Sequence, residues 1–170
     1  MPSPYTTPFT LQPLTAERGE DFWRVSDSVA RERRYLCWHE IPAELSAAYV
    51  RSQLEQDAPH LLLLDGGQVV GWCDVAPHPR PAHNHRGTLG MGLLPSHRGM
   101  GLGGWLLENT LALAERRGYH RVELTVRADN EHAIRLYQRH GFQTEGRQRD
   151  AVRMDGFHDL LLMARLRAPR

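Results

Sequence analysis

Two rhythms of apolar residues alternate along this chain, one recurring at every second position and one at every third or fourth, and their order predicts the elements. Residues 9–14 read as a short strand, which Pro13 confines to a sheet edge. Residues 15–36 follow with helical spacing, in which Phe22, Val25 and Val29 share a face that Arg33 or Tyr35 extends. Pro42 then opens a second helix, whose predicted buried stripe is Leu45, Tyr49 and Leu54. Two apolar runs, 60–65 and 68–75, flank a turn at Asp65-Gly66-Gly67 and predict a hairpin. Prolines and polar residues make 78–87 a loop, and 88–94 is a strand closed by Pro95. A glycine-rich loop leads into a leucine-rich helix that ends at Arg116-Arg117-Gly118, two cations and a glycine at its C-terminus. Residues 120–128 alternate, Val122, Leu124 and Val126 against Glu123, Thr125 and Arg127, as a half-buried strand does. Asp129 or Asn130 can cap a helix over 131–140, which Gly141 ends. The tail, 142–166, reads as two strands turning at Asp155-Gly156.

Strands that outnumber and interleave with helices predict a single α/β (α+β) domain over 1–170: a mixed six- or seven-stranded sheet flanked by helices on both faces. Residues 1–8 carry no pattern and are expected to be a flexible N-terminal segment. A length of 170 residues suffices for one core, and 41% hydrophobic with 24% charged residues is ordinary for a globular protein. The net charge of +1 gives no footprint for nucleic acid or an anionic membrane, and no apolar run approaches the roughly 20 residues of a spanning helix. The first ten residues do not read as a signal peptide, and the two isolated cysteines, Cys37 and Cys73, suit a reducing compartment, so the cytoplasm is the expected location. Exposed edges of the C-terminal strands make a homodimer an open expectation.

The chemistry starts at residues 97–104, His-Arg-Gly-Met-Gly-Leu-Gly-Gly, immediately before a helix. A helix start leaves several N–H groups unpaired and carries partial positive charge, and glycines let a bulky anion approach the backbone. Together they make a phosphate cradle, to which Arg98 adds a cation suited to a pyrophosphate. The loop does not end in the Gly-Lys-Ser/Thr of a P-loop. It contains Gly99, Gly101 and Gly104 at the spacing of a dinucleotide fingerprint, but Pro95–Arg98 separates it from its strand, and Glu123 lies inside the next strand instead of at its end. Glycines needed only for helix–strand packing are the other reading.

Arg98-Gly99-Met100-Gly101-Leu102-Gly103 also fits the pattern Gln/Arg-x-x-Gly-x-Gly/Ala after a strand and a proline. Downstream, Val126, Asn130, Ala133, Tyr137, Gly141 and Phe142 fall at the marked positions of a second segment. The two motifs at this separation resemble the GNAT family of acetyl-CoA-dependent N-acetyltransferases, and the resemblance spans about residues 60–165. It implies transfer of acetyl from acetyl-CoA, as co-substrate, to a primary amine by direct attack. Leu93 and Leu94 would then pair their backbone with the pantetheine arm, residues 98–104 (Arg98, Gly99, Met100, Gly101, Leu102, Gly103, Gly104) would take the pyrophosphate, and Asn130 and Ala133 would lie along the cofactor. Tyr137 would protonate the departing thiolate, although its helix face with Ala133 and Ile134 also suits a core tyrosine. Glu123 is the first candidate for the base, alone or through a water; a cross-strand ion pair is its other reading, and solvent itself is a sufficient base for an amine of pKa near 8.

Acceptor recognition is expected between the first two helices, where Glu32, Tyr35 and Glu40 would meet an ammonium and Trp38 would supply a wall. The same residues also suit packing and surface. The closing segments look most like the branch that acetylates amino acids and related small amines. A protein N-terminus or lysine as acceptor, and a CoA-binding module without turnover, stay open. His78, His83 and His85 share one loop, but it is broken by prolines and offers no thiolate, so no metal is expected.

Overall fold

The computed structural model describes residues 9–167, so the expectation for 1–8 lies outside the described residues. The strands are β1 (Phe9–Pro13), β2 (His60–Asp65), β3 (Gln68–Pro77), β4 (Arg86–Leu93), β5 (Arg121–Arg127), β6 (Gln143–Arg153) and β7 (Phe157–Leu166). The helices are α1 (Gly19–Arg31), α2 (Ala43–Glu55), α3 (Leu102–Arg116) and α4 (Glu131–Arg139). They build one domain around a seven-stranded mixed sheet of order β1-β2-β3-β4-β5-β7-β6. Pro13 does sit on an edge strand, where its missing N–H leaves no ladder bond unmade.

Apolar side chains fill both faces of the sheet. Leu62, Leu64 and Trp72 pack under Phe22, Val25 and Val29 of α1 and Val50 of α2. Leu63, Cys73, Val75, Leu124 and Val126 pack on the other face against Leu106, Leu107 and Leu111 of α3 and Tyr137 of α4. This assigns faces to residues that decide the site. Trp72 and Asp74 of β3 face α1 and α2, as do the alternate β4 positions Thr88, Gly90 and Gly92 and the β5 residues Glu123, Thr125 and Arg127.

Among the described strands the only parallel neighbours are β4 and β5, and they stay together for three rungs: Arg86 with Arg121, Gly87 with Val122, Thr88 with Glu123. Beyond Thr88 they part, while β4 stays paired with β3 through Leu93 and β5 with β7 through Arg127. The result is a gap in the middle of the sheet, between Gly90–Leu93 and Thr125–Arg127.

Two helix expectations need correction. The inward face of α2 is Ser46, Val50 and Gln53, with Tyr49 half-buried beside them, whereas Leu45 and Leu54 are 44% and 39% exposed. Val50 is the residue of this face that joins Phe22, Val25 and Val29 of α1 in the core, and it lies beside Gly19. The first helix ends at Arg31, not at Leu36, because Arg33 takes a left-handed backbone (φ 51°) that cannot continue a right-handed helix.

Candidate active site

The glycine loop leaves β4 through a short 3-10 turn at Pro95–His97 and reaches α3 through two left-handed residues, Gly99 (φ 76°) and Gly101 (φ 80°). A side chain at either would be strained by about 1–2 kcal/mol. Gly101 is the N-cap of α3 and offers no side-chain cap. The amide of Gly104 returns to the Gly101 carbonyl (3.0 Å), so the N–H groups ahead of it, at Leu102 and Gly103, are the ones a helix start leaves for an outside acceptor. A β-carbon at Gly99 would meet nothing, and one at Gly103 or Gly104 would make only ordinary contacts at 3.6 Å or more. Packing therefore does not demand glycine at these three positions, and only at Gly99 does the left-handed backbone favour it.

The Arg98 side chain does other work than the sequence suggested. Its Nε and Nη2 donate to the Leu93 carbonyl (2.9 and 2.7 Å), and its Nη1 and Nη2 form a fork on the Glu32 carboxylate (2.8 and 2.5 Å). The charge is thus already compensated, and the side chain ties the end of β4 to the end of α1. Glu32, expected to meet an acceptor ammonium, is instead the other half of this tie.

Backbone direction decides what β4 can offer a ligand in the gap. Leu94 donates to Val70 (2.9 Å) and accepts from His97 (2.9 Å), so both its backbone groups are engaged. In an antiparallel ladder the outward-pointing groups alternate with these. They belong to Met91 and Leu93, and the Leu93 carbonyl is held by Arg98. The free backbone edge facing the gap is therefore at Met91 and at the Leu93 amide, one residue earlier than expected.

Across the gap, Asn130 caps α4 by accepting from the Ala133 amide (3.2 Å), which leaves its side-chain NH2 to donate. Tyr137 is 9% exposed and packs against Phe142, ring centres 5.7 Å apart. Its hydroxyl has no hydrogen-bond partner among the described residues. Burial, with Cys73 adding to it, pushes its pKa well above that of a free phenol, so it stays protonated throughout the physiological range.

Glu123 lies on the last paired rung, just short of the gap. Both its oxygens accept from Arg86 Nη2 (2.6 and 2.8 Å), and Arg121 Nε donates a third bond (2.8 Å). Partial burial raises its pKa, but the hydrogen bonds and charges of the two arginines outweigh this and hold it below the ordinary carboxylate value. The cross-strand ion pair is the role the geometry gives it.

The connection between α1 and α2 runs on the α1–α2 face of the sheet and is tied down at both ends. Trp23 Nε1 donates to the Ile41 carbonyl (2.7 Å), and the Ile41 amide donates to Asp27 (2.8 Å). Arg127, 7% exposed, donates to the Arg34 carbonyl (2.6 Å) and to Asp129, and lies 5.6 Å from the Tyr35 ring. Tyr35 and Trp38 remain exposed above. Arg127 read as one more polar strand residue in the sequence; its role needed partners that are distant along the chain.

His78 and His83 approach to 3.1 Å, but among the described residues no group of three or more His, Cys, Asp or Glu gathers as metal ligands would. No described helix is long and apolar enough to cross a membrane.

The profile of the acetyltransferase (GNAT) family matches residues 22–142, and the chain belongs to that family. A mycothiol acetyltransferase of Pseudarthrobacter chlorophenolicus is 32% identical over 142 residues, 78% of this chain and 42% of that protein, so the chain spans under half of that relative's length. An L-amino acid N-acetyltransferase of Escherichia coli is 29% identical over 59% of the chain and 64% of its own length. Among solved structures, an acetyltransferase of the GNAT family from Streptococcus pneumoniae superimposes with a TM-score of 0.87 at 25% identity, over 94% of this chain and 99% of that one.

Proposed function

We propose that this protein transfers an acetyl group from acetyl-CoA to the primary amine of a small molecule, an amino acid or a close relative of one. The observation that carries the proposal is the convergence on one gap of three things: unpaired amides at the start of α3, a free backbone edge at Met91 and Leu93, and the buried phenol of Tyr137. Leu102, Gly103 and the amides of the loop before them would hold the pyrophosphate, the edge of β4 would hold the pantetheine, and the Asn130 NH2 would donate to it. Acetyl-CoA supplies the activated acyl group as a thioester. Tyr137 gives a proton to the sulfur that leaves, and a backbone N–H at the β4 edge faces the oxygen on which negative charge develops. The names of the relatives, mycothiol and L-amino acid acetyltransferases, support a small acceptor.

A thiol-release assay with acetyl-CoA tests this across amino acids, polyamines, aminoglycosides and peptides with free N-termini. Release with one or a few small amines is the expected result. Release with peptides alone moves the acceptor to a protein, and acetyl-CoA binding without release from any amine replaces the enzyme with a CoA-binding module.

A further inference from the structure

The gap lacks an evident base. Thr125 and the glycines of β4 cannot accept a proton from an ammonium. The nearby carboxylates are already held by arginines: Glu123 by Arg86 and Arg121, Glu32 by Arg98, Asp129 by Arg127. A carboxylate the sequence did not single out is differently placed. Asp74, on β3, is 2% exposed and accepts from the Tyr49 hydroxyl of α2 (2.5 Å).

Its position follows from the register. Asp74 pairs with Gly90, and Gly90 is the first acceptor-facing residue of β4 beyond the last rung shared with β5. A β-carbon at Gly90 would stand 3.1 Å from Asp74 Oδ1, so the carboxylate reaches over the glycine, which itself puts no side chain between Asp74 and the edge of β4. Gly92 plays the same part for Trp72, whose ring covers it, with room for no β-carbon at all. The neighbouring rung, Cys73 with Met91, faces the opposite side, where Cys73 raises the pKa of Tyr137. A carboxylate and a phenol therefore lie on opposite faces of the sheet, Asp74 towards α1 and α2 and Tyr137 in the cluster with Cys73.

We infer that Asp74 is the catalytic base, taking the proton from the acceptor ammonium on the α1–α2 side while Tyr137 serves the sulfur on the other. This rests on the acetyl-transfer reading above. The ammonium loses one proton to Asp74, and the freed nitrogen lone pair forms the C–N bond as the C–S bond breaks. Tyr137 gives its proton to the thiolate and recovers the second proton from nitrogen. The proton on Asp74 leaves to solvent, so one amide, one thiol and one proton result from one ammonium and one thioester.

The surroundings suit a base at neutral pH. Burial raises the pKa of Asp74 to about 7, with hydrogen bonding from Tyr49 and Trp72 opposing it. Beside it stand Tyr49 from α2, whose ring stacks on Phe22 of α1, and His60 on the adjacent β2 rung, which burial keeps uncharged (pKa lowered to about 3). No neighbouring cation holds the proton off, so the carboxyl can both accept and release it near pH 7.

The test compares two acceptors: an alkyl amine found in the panel, charged at pH 7, and an aromatic amine, neutral at pH 7. Asp74→Asn keeps an acceptor for Tyr49 and removes the base. It is expected to lose at least about a hundredfold in kcat/KM with the alkyl amine, together with the rise of activity through pH 7, and far less with the aromatic amine. Acetyl-CoA should still raise its melting temperature as in the wild type. Tyr49→Phe, which removes a donor to the charged form, is expected to move the acid limb of the pH profile upward, and it keeps the inference testable should Asp74→Asn fail to fold. Equal losses with both amines, or a Tyr49→Phe profile identical to wild type, overturns the assignment. Absence of thiol release by the wild type with every amine overturns acetyl transfer itself, and this inference with it.

Discussion

Replacing Tyr137 by phenylalanine should separate stability from activity, because the hydroxyl is placed where it benefits only one of them. The ring fills the α3–α4 face of the core, and phenylalanine keeps that packing. The hydroxyl has no hydrogen-bond partner among the described residues and is not among the polar atoms sealed from solvent, so the fold neither gains from it nor incurs a full desolvation penalty for it. Its removal should leave stability within about 0.5 kcal/mol of wild type, and about 2–4 °C of melting temperature accompanies each kcal/mol in a chain of this size. Turnover should move the opposite way. A proton donor to the leaving thiolate contributes about 10²–10⁴ in rate, so a fall of at least a hundredfold is expected, equivalent to about 2.7 kcal/mol of barrier. The assay is thiol release at saturating acetyl-CoA beside thermal unfolding with and without acetyl-CoA. Turnover within about threefold of wild type, or a melting temperature lower by several degrees, refutes the reasoning: the first removes the catalytic role, the second the unpartnered hydroxyl.

Three further outcomes follow from the geometry. Gly101→Ala must either hold alanine at φ 80° or shift the start of α3, and about 1–2 kcal/mol of strain should weaken acetyl-CoA binding roughly tenfold in calorimetry, while Gly104→Ala, which meets His140 at an ordinary 3.6 Å, should bind nearly as wild type. Glu123→Gln should leave the pH profile of turnover in place and lower stability by no more than about 1 kcal/mol, since its ion pairs are partly exposed; loss of the acid limb would restore Glu123 as the base. Acid stability should expose two opposing groups. Asp74 has a raised pKa, so the native state binds its proton first and gains stability as pH falls from about 7 toward the ordinary carboxylate value; His60 has a lowered pKa, so the unfolded state binds its proton first and native stability falls below about pH 6.5. Asp74→Asn removes the gain alone, and denaturant unfolding between pH 7 and pH 4 should show a steeper acid loss than in wild type.

Most elements were legible because the features that make them are local. The turn at Gly66-Gly67, the Asn130 cap and the glycines at 99 and 101 depend on backbone conformation within a few residues, which residue type controls directly. The α2 stripe was misread because leucine spacing tells which residues share a face, not which face a neighbour will cover. Here packing against α1 and the sheet, with Val50 beside Phe22, Val25 and Val29, buried the side bearing Ser46, Val50 and Gln53.

The sequence by itself determined the order of elements, the glycine loop ahead of α3 and the motif that places Asn130 and Tyr137, all encoded by residues adjacent in the chain. Tertiary structure alone decided what the charged groups do. Glu123 is clamped by Arg86 from 37 positions away, and Arg98 is joined to Glu32 across 66. Asp74 gains its character from a glycine on the next strand, a phenol on α2 and the exclusion of water. The physical reason is the same in each case: a carboxylate's proton affinity is set by its partners and its solvation, and both are fixed only when distant strands and helices come together.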